Sequence, residues 1–507
     1  MTMHLKQSSW KKLRTNDEII TCMKTKTCIN SGIILFFLAL TISTTSAQIG
    51  TRFPTEKKIV TDPVTGTQLT FLTSKPAGDS KIYQTHNQWT ADGEWVIFRS
   101  NRVRGEAMAV NEKTGVIIQV SEGGFTGMLN VARKSMKLYF MRDTAARRRF
   151  SSLPGRPDAP GSTQAGTPPA AQAGTQQRSP VAGPRMSNPI LVIEVDLAKL
   201  FADSEAGRLK PAAEYQRICG STPPEMGAGG DMALDADEEV VYFRTGREEA
   251  TKHLPEGPKI EGNFGPRRMG AGPAGIGSMN IKTGETKFVV AVPFQIGHIQ
   301  ANPWIPGEIV FCWETGGKAP QRTWTVKADG SGLRPLYPES EYEWVTHEAI
   351  ISQDEVAIAI MGHRKIGTPE QPADPKNPGQ EVAWGPSGTR EKPTGLGIVN
   401  LRTREMAIAG QTPSGSGLWH VNGSSDGRWA VGDDFSRGIY LIDRHTHEMI
   451  LLSTGHKMTA SDHPHPTFSA DGTKIEIQSA MLSEDNRSMN ICIIPVPEAW
   501  LERKYDK

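Results

Sequence analysis

Two histidines one residue apart, His463 and His465, have the spacing to bind one metal ion. In an extended strand, residues i and i+2 point to the same face, so both imidazoles can reach one object. A proline follows each histidine, and its fixed φ stiffens the pair. On its own, such a pair is more often a solvated strand start than a metal site. Its meaning therefore depends on the elements that position it.

Short apolar runs bounded by turn residues recur along the chain, which favours an all-β protein. Asp-Gly pairs between many of these runs suit tight hairpins, because glycine adopts positive φ without steric cost. Seven similar units of four short strands begin near His86, Leu129, Met232, His298, His347, His420 and His463. This repetition predicts a seven-bladed β-propeller with four-stranded blades, and makes a single large β-sandwich the less favoured alternative.

The propeller is expected to be one domain spanning residues 48–507. The strand of residues 68–72 is expected to complete the last blade and close the ring. Two insertions rich in Pro, Gly and polar residues, 151–187 and 367–393, are expected to be disordered loops.

Residues 1–47 have the pattern of a cleavable signal peptide. Lys24 and Lys26 precede an apolar run at residues 33–42, and small residues end at Ala47. Met23 is expected to be the start of translation. An uncleaved anchor is the alternative, but the apolar run is too short to span a bilayer comfortably. We therefore expect a periplasmic or secreted protein with no membrane insertion after cleavage.

Composition excludes other classes of protein. Lys+Arg 57 against Asp+Glu 55 gives a net charge of +2, which offers no electrostatic argument for binding nucleic acid. After the leader, three widely spaced cysteines, Cys219, Cys312 and Cys492, make neither a disulfide framework nor a zinc motif. The sequence does not indicate an oligomeric state.

The histidines coincide with the repeat. The first strands of propeller blades all begin at the same end of the channel, and His86, His298, His347, His420 and His463 stand at or near that position. His465 follows two residues later, so six of twelve histidines are expected around one cavity. Imidazoles suit Mn, Fe, Zn and similar ions. Metal binding is favoured for His420, His463 and His465, whereas His86 has strand capping as an equal alternative.

Three segments resemble the oligogalacturonate lyases, which are seven-bladed propeller enzymes of pectin breakdown. They are Arg322-Thr323-Trp324, Trp344-Val345-Thr346-His347-Glu348 and His463-Pro464-His465-Pro466. The resemblance covers most of the chain after residue 60. It implies a Mn²⁺ ion, or another divalent cation, held by His420, His463 and His465 together with a glutamine. Ala460 stands at the glutamine position, so water or a neighbour such as Asp462 would have to replace that ligand.

The resemblance also implies two catalytic residues, Arg322 as the base and His347 as an active-site histidine. We expect His298 and His86 to contact a uronate oligosaccharide substrate. Uronate β-elimination removes the C5 proton, which lies α to a carboxylate, and a divalent cation on that carboxylate favours this step. Arginine, with an ordinary pKa above about 12, is a poor base. His347 is the simpler proton acceptor, and Arg322 has the alternative of clamping a carboxylate.

A non-catalytic envelope propeller of the TolB type, binding protein or glycan partners, is the main alternative. The Asp-Gly repeats alone fit it equally well. The histidine cluster and Arg322 do not follow from it, which favours the lyase reading.

Overall fold

Seven antiparallel sheets follow one another in a ring, which confirms the predicted seven-bladed β-propeller. The computed structural model describes residues 48–144, 188–254, 270–315, 319–340, 343–363, 373–374, 377–381, 394–411 and 417–505. None of the helices in these ranges combines the length and the apolar character that crossing a membrane requires.

The blades are numbered along the chain, and their strands have the following bounds. Blade 1 contains Arg52–Phe53, Ser80–Lys81, Trp95–Ser100, Glu106–Asn111 and Ile117–Gln119. Blade 2 contains Thr126–Val131, Lys137–Asp143, Ile190–Asp196 and Gln216–Ser221. Blade 3 contains Gly229–Leu234, Val240–Thr245, Ala271–Asn280 and Thr286–Phe294. Blade 4 contains Ile296–Ala301, Glu308–Trp313, Thr323–Lys327 and Arg334–Pro335.

The remaining three blades continue the ring. Blade 5 contains Glu343–Ser352, Glu355–His363, Gly395–Asn400 and Met406–Gly410. Blade 6 contains His420–Gly423, Trp429–Asp433, Ile439–Asp443 and Met449–Ser453. Blade 7 contains Thr467–Phe468, Lys474–Ser479, Asn490–Pro495, Gln68–Phe71 and Lys58–Thr61. The helices are Leu197–Glu205, Arg247–Lys252 and Glu498–Leu501, with 3₁₀ turns at Ala212–Glu214 and Pro224–Met226.

The ring closes by pairing the two ends of the chain. The strand Gln68–Phe71 pairs antiparallel with Asn490–Pro495, as predicted for residues 68–72. Blades 1 and 7 each carry a fifth strand, which the prediction of four strands did not include. Arg52–Phe53 extends blade 1, and Lys58–Thr61 extends blade 7.

Apolar side chains fill the seams between neighbouring blades. Each of the seven seams has its own cluster of buried hydrophobic residues. In blade 4, Ile309 and Phe311 pack toward blade 3, whereas Val310 between them packs toward blade 5. This is the two-residue alternation of a strand buried on both faces. Burial of each such side chain contributes about 1.5–3 kcal/mol, so the seams hold the ring rigid around its channel.

Three turns between first and second strands share a Ser/Thr-x-Asp-Gly sequence, at residues 90–93, 424–427 and 469–472. In the first, Asp92 accepts hydrogen bonds from the Thr90 hydroxyl at 2.5 Å and from the Glu94 N–H at 3.0 Å. Gly93 has φ = 71°, which glycine adopts without strain. These turns fix one end of the first strands, while the functional residues stand at the other end.

Two predictions about chain organisation concern residues that lie wholly or partly outside the described ranges. The leader, residues 1–47, and the insertion 151–187 lie outside them, so both remain predictions. Within the insertion 367–393, the strands Ala373–Asp374 and Asn377–Glu381 pair antiparallel. The other residues of this insertion lie outside the described ranges, so its expected disorder also remains a prediction. Cys219, Cys312 and Cys492 are buried free thiols, in keeping with the absence of a predicted disulfide framework.

Candidate active site in the propeller channel

Five of the six predicted histidines form one cluster where the first strands of blades 4 to 7 begin. The ring centroid of His420 lies 4.2 Å from that of His347, 5.3 Å from that of His463 and 3.7 Å from that of His465. The His298 ring is 6.0 Å from the His347 ring. Tyr83 lies among them, with its ring 4.8 Å from His298 and 5.0 Å from His465. The repeat therefore assembles imidazoles that are far apart in sequence.

The backbone is unusual at three of these histidines. His298, His347 and His465 have φ of 51°, 37° and 52°, a left-handed conformation that non-glycine residues rarely adopt. At His298 and His347 the register between the first two strands also shifts, which marks a β-bulge. Such bulges re-aim a side chain, at a cost of about 1–3 kcal/mol for the strained residue. Both bulged imidazoles join the cluster.

Each of the five imidazoles has an oxygen acceptor close to its Nδ1 atom. The acceptors are Glu348 for His298 at 2.8 Å, the Trp419 carbonyl for His347 at 2.7 Å, Asp433 for His420 at 3.0 Å and for His463 at 2.9 Å, and the Gln84 amide oxygen for His465 at 2.8 Å. Carboxylate and backbone carbonyl oxygens accept, so the Nδ1 atoms of His298, His347, His420 and His463 carry protons. His465 Nδ1 carries a proton when Gln84 presents its amide oxygen, as it does here. In a neutral ring the lone pair is then on Nε2. This arrangement is common for metal-binding histidines.

His420, His463 and His465 fit a divalent cation. His420 is fully buried, and its Nε2 has no hydrogen-bond partner among the described residues. A buried polar atom without a partner costs about 1–3 kcal/mol, which a bound cation would offset. Burial, with His465 and His463 adding to it, holds the pKa of His420 well below its usual value, so the ring stays neutral. Neutral imidazoles suit Mn²⁺, Zn²⁺ and related ions.

Asp462, rather than position 460, borders this donor set. The Ala460 side chain packs with Ala480 and Met489 in a small apolar cluster. Asp462 Oδ2 lies 3.1 Å from His465 Nε2, and Asp462 Oδ1 accepts the His463 backbone N–H at 2.8 Å. Burial raises the pKa of Asp462, but His465 outweighs it and the net pKa is lowered. An ionised carboxylate therefore lies where it can complete the donor set.

Arg322 lies in a buried ion-pair cluster beside the histidines. Its Nε is 3.1 Å from Glu348 Oε2, and its Nη2 is 3.6 Å from Glu314 Oε2. Burial alone would lower the pKa of Arg322, but Cys312 and the carboxylates of Glu348 and Glu314 together raise it well above its usual value. The guanidinium therefore stays protonated, which argues against the expected role of Arg322 as the base.

A second group of possible metal ligands occurs in this cluster. Atoms of His298, Cys312 and Glu314 lie within 4.8 Å of one another. The Arg322 guanidinium already supplies a cation at Glu314, and burial raises the pKa of the Cys312 thiol well above its usual value. A protonated thiol beside a guanidinium does not favour a second metal ion.

His347 has the surroundings of a neutral proton acceptor. It is 5% exposed, and its Nδ1 donates to the Trp419 carbonyl. Burial, together with His420 and Arg322, holds the pKa of His347 well below its usual value. The ring is therefore neutral with its lone pair on Nε2.

The two residues expected to contact substrate differ from each other. Both nitrogens of His86 are engaged, Nδ1 by the Thr85 hydroxyl at 2.7 Å and Nε2 by the Met232 carbonyl at 2.8 Å. Burial lowers the pKa of His86 to about 4. His86 therefore links blade 1 to blade 3, and its expected contact with substrate stays a prediction. His298 does lie in the cluster, but Glu348 and Glu314 flank its two nitrogens.

Sequence reasoning missed several residues of this site. Asp433 stands directly opposite His420 in the paired strands, so aligning the second strands of the seven units would have found it. Glu348 directly follows His347 in a segment that resembles the lyases, but nothing in its local sequence shows that it pairs with Arg322 and His298. Tyr83 and Gln84 carry no local signal, because they precede the first recognisable strand of blade 1.

The fold has close counterparts among solved structures. A structure of oligogalacturonate lyase in complex with manganese has a TM-score of 0.61 and 16% identity, covering 90% of this chain and 100% of that chain. The oligogalacturonate lyase of Vibrio parahaemolyticus has a TM-score of 0.60 and 15% identity over the same shares. A TolB-type structure from Agrobacterium tumefaciens reaches a TM-score of only 0.34 at 11% identity, covering 66% of this chain and 82% of that chain. No protein-family model and no curated protein matches the sequence. At these identities, the chain shares with the oligogalacturonate lyases their propeller fold.

Proposed function

We propose that the protein is a metal-dependent lyase that cleaves oligogalacturonide, or a related uronate oligosaccharide, by β-elimination. One observation carries the proposal. Three histidines that can offer Nε2 atoms to a cation lie in one channel with a neutral imidazole and a protonated guanidinium. The three are His420, His463 and His465, the imidazole is that of His347, and the guanidinium is that of Arg322. Elimination at a uronate needs these three functions, a cation for the carboxylate, a proton acceptor and a positive charge nearby. A non-catalytic TolB-like propeller gives no account of their convergence.

The donor set suits the cation that this chemistry needs. His420, His463 and His465 would hold it, with the Asp462 carboxylate at their edge. A divalent cation there would neutralise the uronate carboxylate and so make the C5 proton more acidic. A Mn²⁺ ion agrees with the donors, as does another first-row divalent ion.

His347 is the group we assign to proton transfer. Its Nε2 would take the C5 proton while the C4–O4 bond breaks, the C–H electrons form the C4=C5 double bond, and the leaving O4 takes a proton from water. Its Nδ1–H bond to the Trp419 carbonyl orients the ring and stabilises the imidazolium that forms. Arg322, held by Glu348, supplies a fixed positive charge for the developing negative charge at the substrate carboxylate.

An aromatic wall lies next to these groups and would bind the sugar rings. The Trp419 ring is 4.8 Å from His347 and 6.0 Å from His463. Phe435 and Trp344 continue the wall, with ring centroids 5.0 Å and 6.2 Å from that of Trp419. All three side chains are only partly buried. Aromatic faces provide apolar area for the C–H face of a pyranose at low conformational cost.

The decisive experiment joins metal analysis to an activity assay. Purified protein would be analysed for bound metal and incubated with a panel of uronate glycans, while ultraviolet absorbance reports the conjugated C4=C5 product. We expect a bound divalent cation, product from at least one uronate oligosaccharide, and neither in His463→Ala. Wild-type protein that binds no metal and forms no product would refute the lyase.

We also propose that the chain is exported, because residues 1–47 have the charge and apolar pattern of a signal peptide. Cleavage after Ala47 would leave Gln48 as the first residue of a periplasmic or secreted enzyme. Amino-terminal sequencing of the protein from the expressing cells would test this. Recovery of an intact chain from Met23 in the cytoplasmic fraction would contradict it.

A further inference from the structure

Asp433 connects two histidines of the candidate metal site across the seam between blades 6 and 7. It ends the strand Trp429–Asp433 and is fully buried. Its Oδ1 lies 3.0 Å from His420 Nδ1 and accepts the His420 backbone N–H at 2.8 Å. Its Oδ2 lies 2.9 Å from His463 Nδ1. One carboxylate therefore contacts two imidazoles from different blades.

The chemistry of these contacts fixes both tautomers. Both Asp433 oxygens are in acceptor geometry, and Oδ1 already accepts the His420 backbone N–H, so each Nδ1 is the donor and carries the hydrogen. When the rings are neutral, both Nε2 atoms then hold lone pairs. Asn or Gln in place of Asp433 could rotate to offer an N–H group and so favour the opposite tautomer.

The same contacts make Asp433 a partner of the ligands rather than a ligand. Its oxygens lie within 4.8 Å of donor atoms of His420 and His463, which is also compatible with direct coordination. However, the closest approaches are 2.8–3.0 Å and are hydrogen bonds. Each oxygen is used by at least one N–H group. A cation at the Nε2 side of the rings would lie on their far edge from Asp433.

We infer that Asp433 is a positioning residue that sets the affinity of the histidine site for a divalent cation by holding His420 and His463 with Nε2 unprotonated. The inference rests on the metal-binding part of the proposed function and adds the residue that controls it. Outer contacts of this kind commonly change metal affinity by about 10–100-fold.

The test compares Asp433→Asn with the control Asp443→Asn in metal-free protein titrated with Mn²⁺ by calorimetry. Asp443 is also fully buried in blade 6, but it bonds Arg503 and Tyr505 instead of the histidines. We expect Asp433→Asn to weaken Mn²⁺ binding by about 10–100-fold, while Asp443→Asn changes it less than about threefold. Equal affinity in wild type and Asp433→Asn would overturn the inference and leave the proposed function intact. Wild-type protein that binds neither Mn²⁺ nor Zn²⁺ in the same titration would overturn both.

A second measurement is read from wild-type protein and uses variants only to assign its signals. Nitrogen NMR of histidine-labelled, metal-free wild type reports which ring nitrogen is protonated. The signals of the two rings are assigned with the variants His420→Gln and His463→Gln. We expect both His420 and His463 to carry the proton on Nδ1. Protonation on Nε2 in either ring would overturn the inference whatever the calorimetry shows.

Discussion

Replacing Glu348 with glutamine should destabilise the propeller strongly, because one buried carboxylate serves two cationic groups. Its side chain is fully buried, with Oε2 3.1 Å from Arg322 Nε and Oε1 2.8 Å from His298 Nδ1. Removal of one partner from a buried ion pair costs about 3–5 kcal/mol, since a charge is left without compensation. Glu348→Gln keeps the shape, so we expect the free energy of unfolding to fall by about this amount.

The loss should also depend on pH. Burial lowers the pKa of His298, but Glu348 outweighs it and the net pKa is raised above 6.5. The stability that comes from this raised pKa is fully present below pH 6.5 and is lost as the pH rises through the folded pKa. The pKa of Glu348 is lowered, so its own contribution persists across this range. The difference between wild type and Glu348→Gln should therefore be larger in mildly acidic than in alkaline solution.

Urea denaturation, followed by tryptophan fluorescence, measures the free energy of unfolding of wild type and Glu348→Gln in mildly acidic and in alkaline solution. Glu308→Gln is the matched control, because Glu308 pairs with Arg402, whose side chain is 43% exposed. Surface pairs contribute about 0–1 kcal/mol, so this control should lose no more than that. A loss below about 1 kcal/mol in Glu348→Gln, or a difference that grows with pH, would refute the reasoning about the buried cluster.

Further predictions concern the proposed chemistry. His347→Gln should lower kcat by about 10²–10⁴-fold with metal content unchanged, and steady-state kinetics with metal analysis would show whether it does. Arg322→Lys keeps the charge but loses the planar fork, so kcat/KM should fall at least about tenfold, and near-wild-type kinetics would exclude a positioning role. Trp419→Ala keeps the carbonyl that orients His347, so KM should rise more than kcat falls; an unchanged KM would remove Trp419 from substrate binding. Removing the cation with a chelator should lower the melting temperature, and adding Mn²⁺ should restore it, because binding to the folded state stabilises it.

The sequence predicted the features that follow from its repeating strand pattern. The seven units, the closing strand at residues 68–72 and the convergence of five histidines all follow from a strand pattern that repeats at each blade. What it could not predict depends on tertiary contacts. His86 has the same local setting as His298, yet it meets the Met232 carbonyl from blade 3. The protonated state of Arg322 depends on Glu314 from its own blade and on Glu348, which reaches it only after blades 4 and 5 pack together.

Gln84 and His465 are 381 positions apart in the chain, yet they form a hydrogen bond. The bond lies near blade 7, which the early strand Gln68–Phe71 completes. The histidine cluster is therefore assembled only after nearly the whole polypeptide has been synthesised. A chain still bound to the ribosome would contain the blades of the early repeats without a complete channel. Pairing between distant segments also folds slowly. Proteolysis that removes the chain up to and including the strand Gln68–Phe71 would leave the strand Asn490–Pro495 of blade 7 with an unpaired edge. The proposed site would then be disabled, although all of its own residues would still be present.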